Sequence, residues 1–106
     1  MNTNTNGTPI TVDPALATAA ATLAERLAAV PPPSETTIAE GAYIVSARRS
    51  RGRLRLFVSR RDQPASHADL NALLDALGRD RRVAWSRSRY RTESIVHHRA
   101  ECNLPL

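Results

Sequence analysis

Residues 42–61 have the sequence AYIVSARRSRGRLRLFVSRR, in which arginines alternate with aliphatic side chains. In its second half, Leu54, Leu56 and Val58 share one parity, and the other parity holds Arg53, Arg55, Phe57 and Ser59. Successive side chains of a strand point to opposite faces of a sheet, so this alternation predicts a strand with one apolar face. Gly52 suits the positive φ of a tight hairpin turn. The stretch therefore predicts a β-hairpin with arginine on one face and at the turn, because disordered basic tracts seldom alternate with aliphatic residues.

Two amphipathic helices are predicted on either side of this hairpin. Asp13 and Pro14 are typical of an N-cap and a first helical position. Ser66 and Asp69 have the spacing of a capping box, and Gly78 suits the end of the second helix. The apolar stripes are Leu16, Ala20, Leu23, Leu27 and Val30 in the first helix, and Leu70, Leu73, Leu74 and Leu77 in the second. Both helices therefore have one face to bury.

The rest of the chain predicts a loop and further strands. Residues 31–41 begin with three prolines and end at Gly41, which indicates a loop. Residues 82–91 alternate in parity and predict a strand, and residues 94–99 predict another strand or a continuation of the first. The predicted order is αββαββ. Short hairpin connections favour an antiparallel sheet of three to four strands with both helices on one face, which is the α+β class.

The length of 106 residues and an apolar content of 42% indicate one globular domain. We expect a flexible N-terminal arm over residues 1–12, a single domain over residues 13–100 and a C-terminal tail over residues 101–106. The N-terminus has no signal-peptide pattern and no stretch suits a membrane span, so a soluble, cytoplasmic protein with no membrane partner is expected.

The charge is strongly basic, with a net value of +5, and every basic residue apart from histidine is arginine. The absence of lysine excludes Schiff-base chemistry and a P-loop lysine. If the helices cover one face of the sheet, the other face carries a row of arginines side by side: Arg53, Arg55, Arg87, Arg89 and Arg91. The aromatic residues Phe57 and Trp85 are candidates for the same face, and the turn adds Arg48, Arg49 and Arg51.

This pattern favours a small, non-catalytic nucleic-acid-binding protein, acting on DNA or RNA. Arginines would contact phosphates, and Trp85 or Phe57 would stack on bases if exposed. An alternative is an inhibitor or adaptor, of the kind that a phage or mobile element encodes, docking on an acidic protein surface through the same arginines. A third interpretation is that the arginines only keep an open sheet face solvated.

The helices suggest two further expectations. The back of the first helix has small residues, namely Ala17, Ala21, Ala24 and Ala28, and is a candidate homodimer face. The polar side of the second helix carries His67, Asp69, Asn71 and Asp75. We expect that side to be acidic, solvated and away from phosphate.

No catalytic or metal-binding pattern is present in the sequence. His97 and His98 are adjacent, so a regular strand sends them to opposite faces and prevents joint chelation. Cys102 is the single cysteine and has no supporting context for nucleophilic catalysis. We therefore expect no enzyme activity, no cofactor and no metal.

Overall fold

Five antiparallel strands and two helices make up a computed structural model that describes residues 13–80, 82–93 and 95–105. In chain order the elements are α1 (Pro14–Ala29), β1 (Ser34–Glu40), β2 (Tyr43–Ser50), β3 (Arg53–Arg60), α2 (His67–Ala76), β4 (Trp85–Thr92) and β5 (Ile95–Pro105). The sheet order is β1-β2-β3-β5-β4. The α+β class is confirmed, but the predicted strand number and the order αββαββ are wrong by one strand. The predicted arm over residues 1–12 lies outside the described residues.

The hairpin predicted from residues 42–61 is confirmed as β2 and β3. Ser50 pairs with Arg53, so a two-residue turn joins the strands. Gly52 in that turn has a φ of +73°, the left-handed conformation that glycine adopts at no steric cost. Leu54 and Leu56 are buried, as their parity predicts.

Strand β1 replaces the second part of the predicted loop. Only Ile38 is buried in this edge strand, so its sequence lacks the apolar alternation that reveals β3. Gly41 turns the chain into β2 with a φ of +57°. A Cβ at Gly41 would lie 3.0 Å from the Cβ of Ala15 in α1, so this position needs glycine for space as well as for conformation.

Strand β5 shows that the predicted tail over residues 101–106 is wrong for residues 101–105. The strand continues to Pro105 and lies between β3 and β4, inside the sheet. Ala100, Cys102 and Leu104 are buried on one side of it. Their alternation with polar residues is a strand signal, which the chain terminus and the small side chains obscure.

Both helices pack on the same face of the sheet and on each other. Leu16 and Leu23 of α1 and Leu73 of α2 are fully buried there, and each contributes roughly 2 kcal/mol relative to an exposed position. Val30, predicted to continue the α1 stripe, is instead 43% exposed. It has an extended conformation because Pro31 disfavours the helical one at the residue before it. The alanine-rich back of α1 is exposed, and dimerisation through it stays a prediction.

The first turn of α2 is tied to β3 by charged groups. Ser66 and Asp69 form the predicted capping box. Asp69 is nearly buried rather than solvated, and its Oδ1 lies 3.3 Å from Nη1 of Arg60. Nη2 of Arg60 donates to Oδ2 of Asp62 at 2.8 Å, and this hydrogen bond lowers the pKa of Asp62. These contacts fix the position of His67, the first residue of α2.

Candidate nucleic-acid interface

The sheet divides the predicted arginines between its two faces. Register partners in an antiparallel sheet point the same way, and Leu56, Cys102 and Trp85 are partners across β3, β5 and β4. Trp85 therefore lies on the same side of the sheet as the buried Leu56, which is the side that the helices cover. The arginines at alternate positions after Trp85 lie on the side of the helices, whereas Arg53 and Arg55 lie on the opposite, open face. The expectation of one shared arginine face is wrong, because the pairing register through β5 aligns Arg87 with the buried Ala100 and Val58, not with Arg53 or Arg55.

On the open face, three arginines cover the ring of Phe57. The Cζ atoms of Arg99, Arg55 and Arg48 lie 4.3, 5.5 and 5.9 Å from the ring centroid. Phe57 is only 4% exposed as a result. This arrangement, the Phe57 cluster, leaves no ring face for a nucleobase, so Phe57 does not fit the predicted stacking role.

The guanidinium groups of the Phe57 cluster also have polar partners within the protein. Arg48 donates through Nη2 to Oε2 of Glu35 at 2.8 Å. Arg55 Nε lies 3.1 Å from Oε2 of Glu101, a carboxylate that is 6% exposed. This second pair is close but is not aligned as a hydrogen bond, so we treat it as an electrostatic contact. Carboxylates of the protein itself therefore compensate the charge of two of the three arginines in the Phe57 cluster.

The hairpin tip places its arginines in different surroundings. Arg49 lies on the helix side and donates to the hydroxyl of Ser34 at 3.3 Å. Arg51 and Arg53 are exposed. A shallow depression of about 400 Å³ on the open face is lined by Arg48, Ser50, Arg53, Arg55 and Asn103. Two of its three arginines belong to the Phe57 cluster and have carboxylate partners.

Strand β4 carries the β4 arginine row, which we define as Arg87, Arg89 and Arg91. All three are exposed on the helix side of this edge strand, and no ion pair within the described residues involves them. Alternate residues of a strand are about 7 Å apart. Unit charges at that separation repel by roughly 0.6 kcal/mol in water before screening by salt. A bound anion would remove this repulsion.

An aromatic pair lies at the start of the β4 arginine row. The rings of His67 and Trp85 are stacked, with centroids 4.5 Å apart and planes 3° from parallel. The Cζ of Arg87 lies 5.6 Å from the Trp85 ring centroid. Trp85 is half-buried against the core, where its register partner is Cys102, whereas His67 is exposed.

Burial and the nearby Glu101 charge raise the pKa of the Cys102 thiol, which keeps it neutral.

His67 is a candidate site residue that the sequence does not reveal. Its position at a helix start is ordinary, and only the tertiary contact with Trp85 distinguishes it. The other histidines point to opposite faces of β5, as predicted: His97 stacks on Tyr90 on the open face, and His98 is the partner of Arg89. Within the described ranges, no three His, Cys, Asp or Glu side chains are placed to hold a metal ion.

Among the residues with described placement, no helix is long and apolar enough to cross a membrane. Comparison with protein-family models, with curated proteins and with solved structures found no match. The site is therefore defined by its own geometry: three exposed arginines in line on an edge strand, with a stacked His67–Trp85 pair at one end.

Proposed function

We propose that this protein binds nucleic acid through the β4 arginine row. The observation that supports this proposal is the alignment of three exposed guanidinium groups on the same side of one strand, without an ion pair to any residue that the structure describes. Arginine makes bidentate contacts with phosphate oxygens, and it keeps its charge at any physiological pH.

The geometry of the row suits a repeating polyanion. Positions at a spacing of about 7 Å along β4 resemble the spacing of successive phosphates along an extended nucleic-acid strand. The row spans about 13 Å from Arg87 to Arg91, enough for three phosphates in sequence. A small anion would meet one arginine at a time and would leave the other charges uncompensated.

The residues of β5 that pair with the β4 arginine row carry no negative charge that would compensate it. On β5, the residues opposite Arg87, Arg89 and Arg91 are Ala100, His98 and Val96, none of which is acidic. In the Phe57 cluster, by contrast, a phosphate would have to compete with Glu35 and Glu101 for the same guanidinium groups. The proposal therefore assigns phosphate contact to β4 and not to the open face.

The test is fluorescence anisotropy of labelled oligonucleotides at two salt concentrations. The variant R87E/R89E/R91E reverses the charge of the β4 arginine row. The variant R26E/R53E/R79E reverses the charge of three exposed arginines outside the row. The two variants have the same net charge and differ only in where the charge is changed. We expect the row variant to lose at least 100-fold in affinity and the control less than tenfold.

Salt dependence adds a second criterion. Three phosphate contacts predict a log–log slope of affinity against salt of about −2 to −3. Equal losses in the two triple variants would show that only net charge matters and would contradict the site. If no oligonucleotide binds at low salt, the proposal fails and an acidic protein surface becomes the partner to search for.

A further inference from the structure

We propose that the nucleic acid is single-stranded and that one of its bases stacks on His67, which extends the His67–Trp85 stack by one layer. This inference rests on the proposed function of the β4 arginine row. It names the form of nucleic acid and a base-contacting residue, neither of which follows from charge alone.

First, one face of the His67 imidazole ring is accessible to a ligand. Trp85 occupies one face of His67 at a centroid distance of 4.5 Å, with nearly parallel planes. Because His67 is exposed while Trp85 is half-buried, the outer surface of the stack is the free face of the imidazole. Flat rings accept bases of any sequence, because every base has a π-face.

The second step is the position of the stack relative to the arginines. Trp85 shares the parity of the β4 arginine row and precedes Arg87 by one two-residue step. Arg87 is near the Trp85 ring as well, with Cζ 5.6 Å from its centroid. A strand whose phosphates follow the row therefore carries a base past His67. In a duplex that base would be stacked and paired inside the helix, so an unpaired strand is the form that fits.

The third step is that the stack is held in place before a ligand arrives. His67 follows the Ser66 cap, and Asp69 in the same turn pairs with Arg60 of β3. Trp85 packs against the core. A preformed platform loses little side-chain entropy on binding, which favours stacking.

The other aromatic side chains are less suited to this role. Tyr90 lies on the open face, stacked on His97 at 4.7 Å with Arg99 5.1 Å from its ring centroid. Phe57 is enclosed by its arginines. His67 and His98 are both exposed on the side of the β4 arginine row, but of these two only His67 stacks on another ring within the described residues.

The experiment compares a single-stranded DNA, an RNA of the same sequence and the matching DNA duplex by anisotropy. Trp85 is the single tryptophan, so its intrinsic fluorescence reports on the stack directly. We expect both single strands to bind at least tenfold more tightly than the duplex and to change the Trp85 emission. An abasic sugar-phosphate chain should bind weakly and leave the emission unchanged.

Variants of His67 test the residue itself. His67→Ala should weaken single-strand binding about tenfold, the scale of one lost base stack, and leave duplex binding unchanged. His67→Phe should restore the affinity, since it supplies a flat ring without imidazole nitrogens. The matched control is His97→Ala, which removes the histidine of the other stacked pair, with Tyr90 on the open face, and should have less than a twofold effect.

The outcomes separate this inference from the proposed function. If single strands and duplex bind equally and His67→Ala changes neither, stacking on His67 is refuted while the β4 arginine row still stands. If nothing binds at low salt, both fail. If only RNA or only DNA shows the effect, the inference holds and the sugar is an additional determinant.

Discussion

Strands β3 and β4 look alike in sequence, with arginines at alternate positions, yet the two sets of guanidinium groups meet opposite surroundings. Arg55 of β3 has the buried Glu101 and the Phe57 ring beside it. Arg89 and Arg91 of β4 have no carboxylate partner within the described residues and are open to solvent.

The difference comes from what the neighbouring strand supplies. On the open face β5 presents Glu101 and Arg99, which complete a compact layer over Phe57. On the helix side α2 covers β3 and β5, and β4 lies at the sheet edge beyond them. Arginine therefore stabilises the fold in one place and is available for a ligand in the other. Exposed arginines on an edge strand also oppose pairing with other sheets, a role that ligand binding does not exclude.

The largest effect on stability is expected from Phe57→Ala. The change removes a buried ring beneath three guanidinium groups and should lower the free energy of unfolding by about 3 kcal/mol. Urea denaturation followed by circular dichroism measures this. Phe57→Leu, which keeps most of the apolar volume, should cost less than half as much. A loss below 1 kcal/mol for Phe57→Ala would mean that the packing of the Phe57 cluster contributes little to stability.

A smaller effect is expected from Glu101→Gln. The substitution keeps the shape but removes the charge that faces Arg55, whose side chain is 43% exposed and so partly screened. We expect a loss of about 1 kcal/mol in the free energy of unfolding, and less at high salt. Glu35→Gln, at the exposed pair with Arg48, is the control and should cost less than half of that. Equal costs at the two sites would remove the distinction between buried and exposed pairs.

The smallest effect on stability is expected in the β4 arginine row. Replacing Arg87, Arg89 and Arg91 by glutamine should change the free energy of unfolding by less than about 0.5 kcal/mol, because exposed side chains are replaced and like-charge repulsion is removed. The same variant should bind oligonucleotides at least tenfold less tightly. A large loss of stability would mean that these arginines stabilise the fold, as Arg55 of β3 does, and would contradict their assignment to a binding site.

The sequence predicts which residues of β3, and which residues of β4, share one side of their own strand. Alternation of leucine with arginine places Arg53 and Arg55 on the face opposite the core, and Gly52 marks the hairpin turn. The same parity argument places Arg87 and Trp85 on one side of β4. Which side that is depends on the neighbouring strand, so parity within a strand does not place two strands on a common face.

The remaining features arise from non-local contacts. Strand β1 has only one buried residue, and two of the buried side chains of β5, Ala100 and Cys102, are small, so neither strand has a strong local signal. The stack of His67 on Trp85 joins residues on different elements, which no spacing rule relates.

The sequence by itself determined the two helices, the β2–β3 hairpin, the α+β class and the basic charge, because these follow from short-range periodicity, capping residues and composition. Only the tertiary structure decided that β5 lies between β3 and β4. That placement, with its pairing register, puts the β4 arginines on the helix side of the sheet and gives Arg55 a carboxylate partner. The physical reason is that strand order depends on packing and pairing between distant segments, and the environment of each arginine is set by what those segments bring beside it.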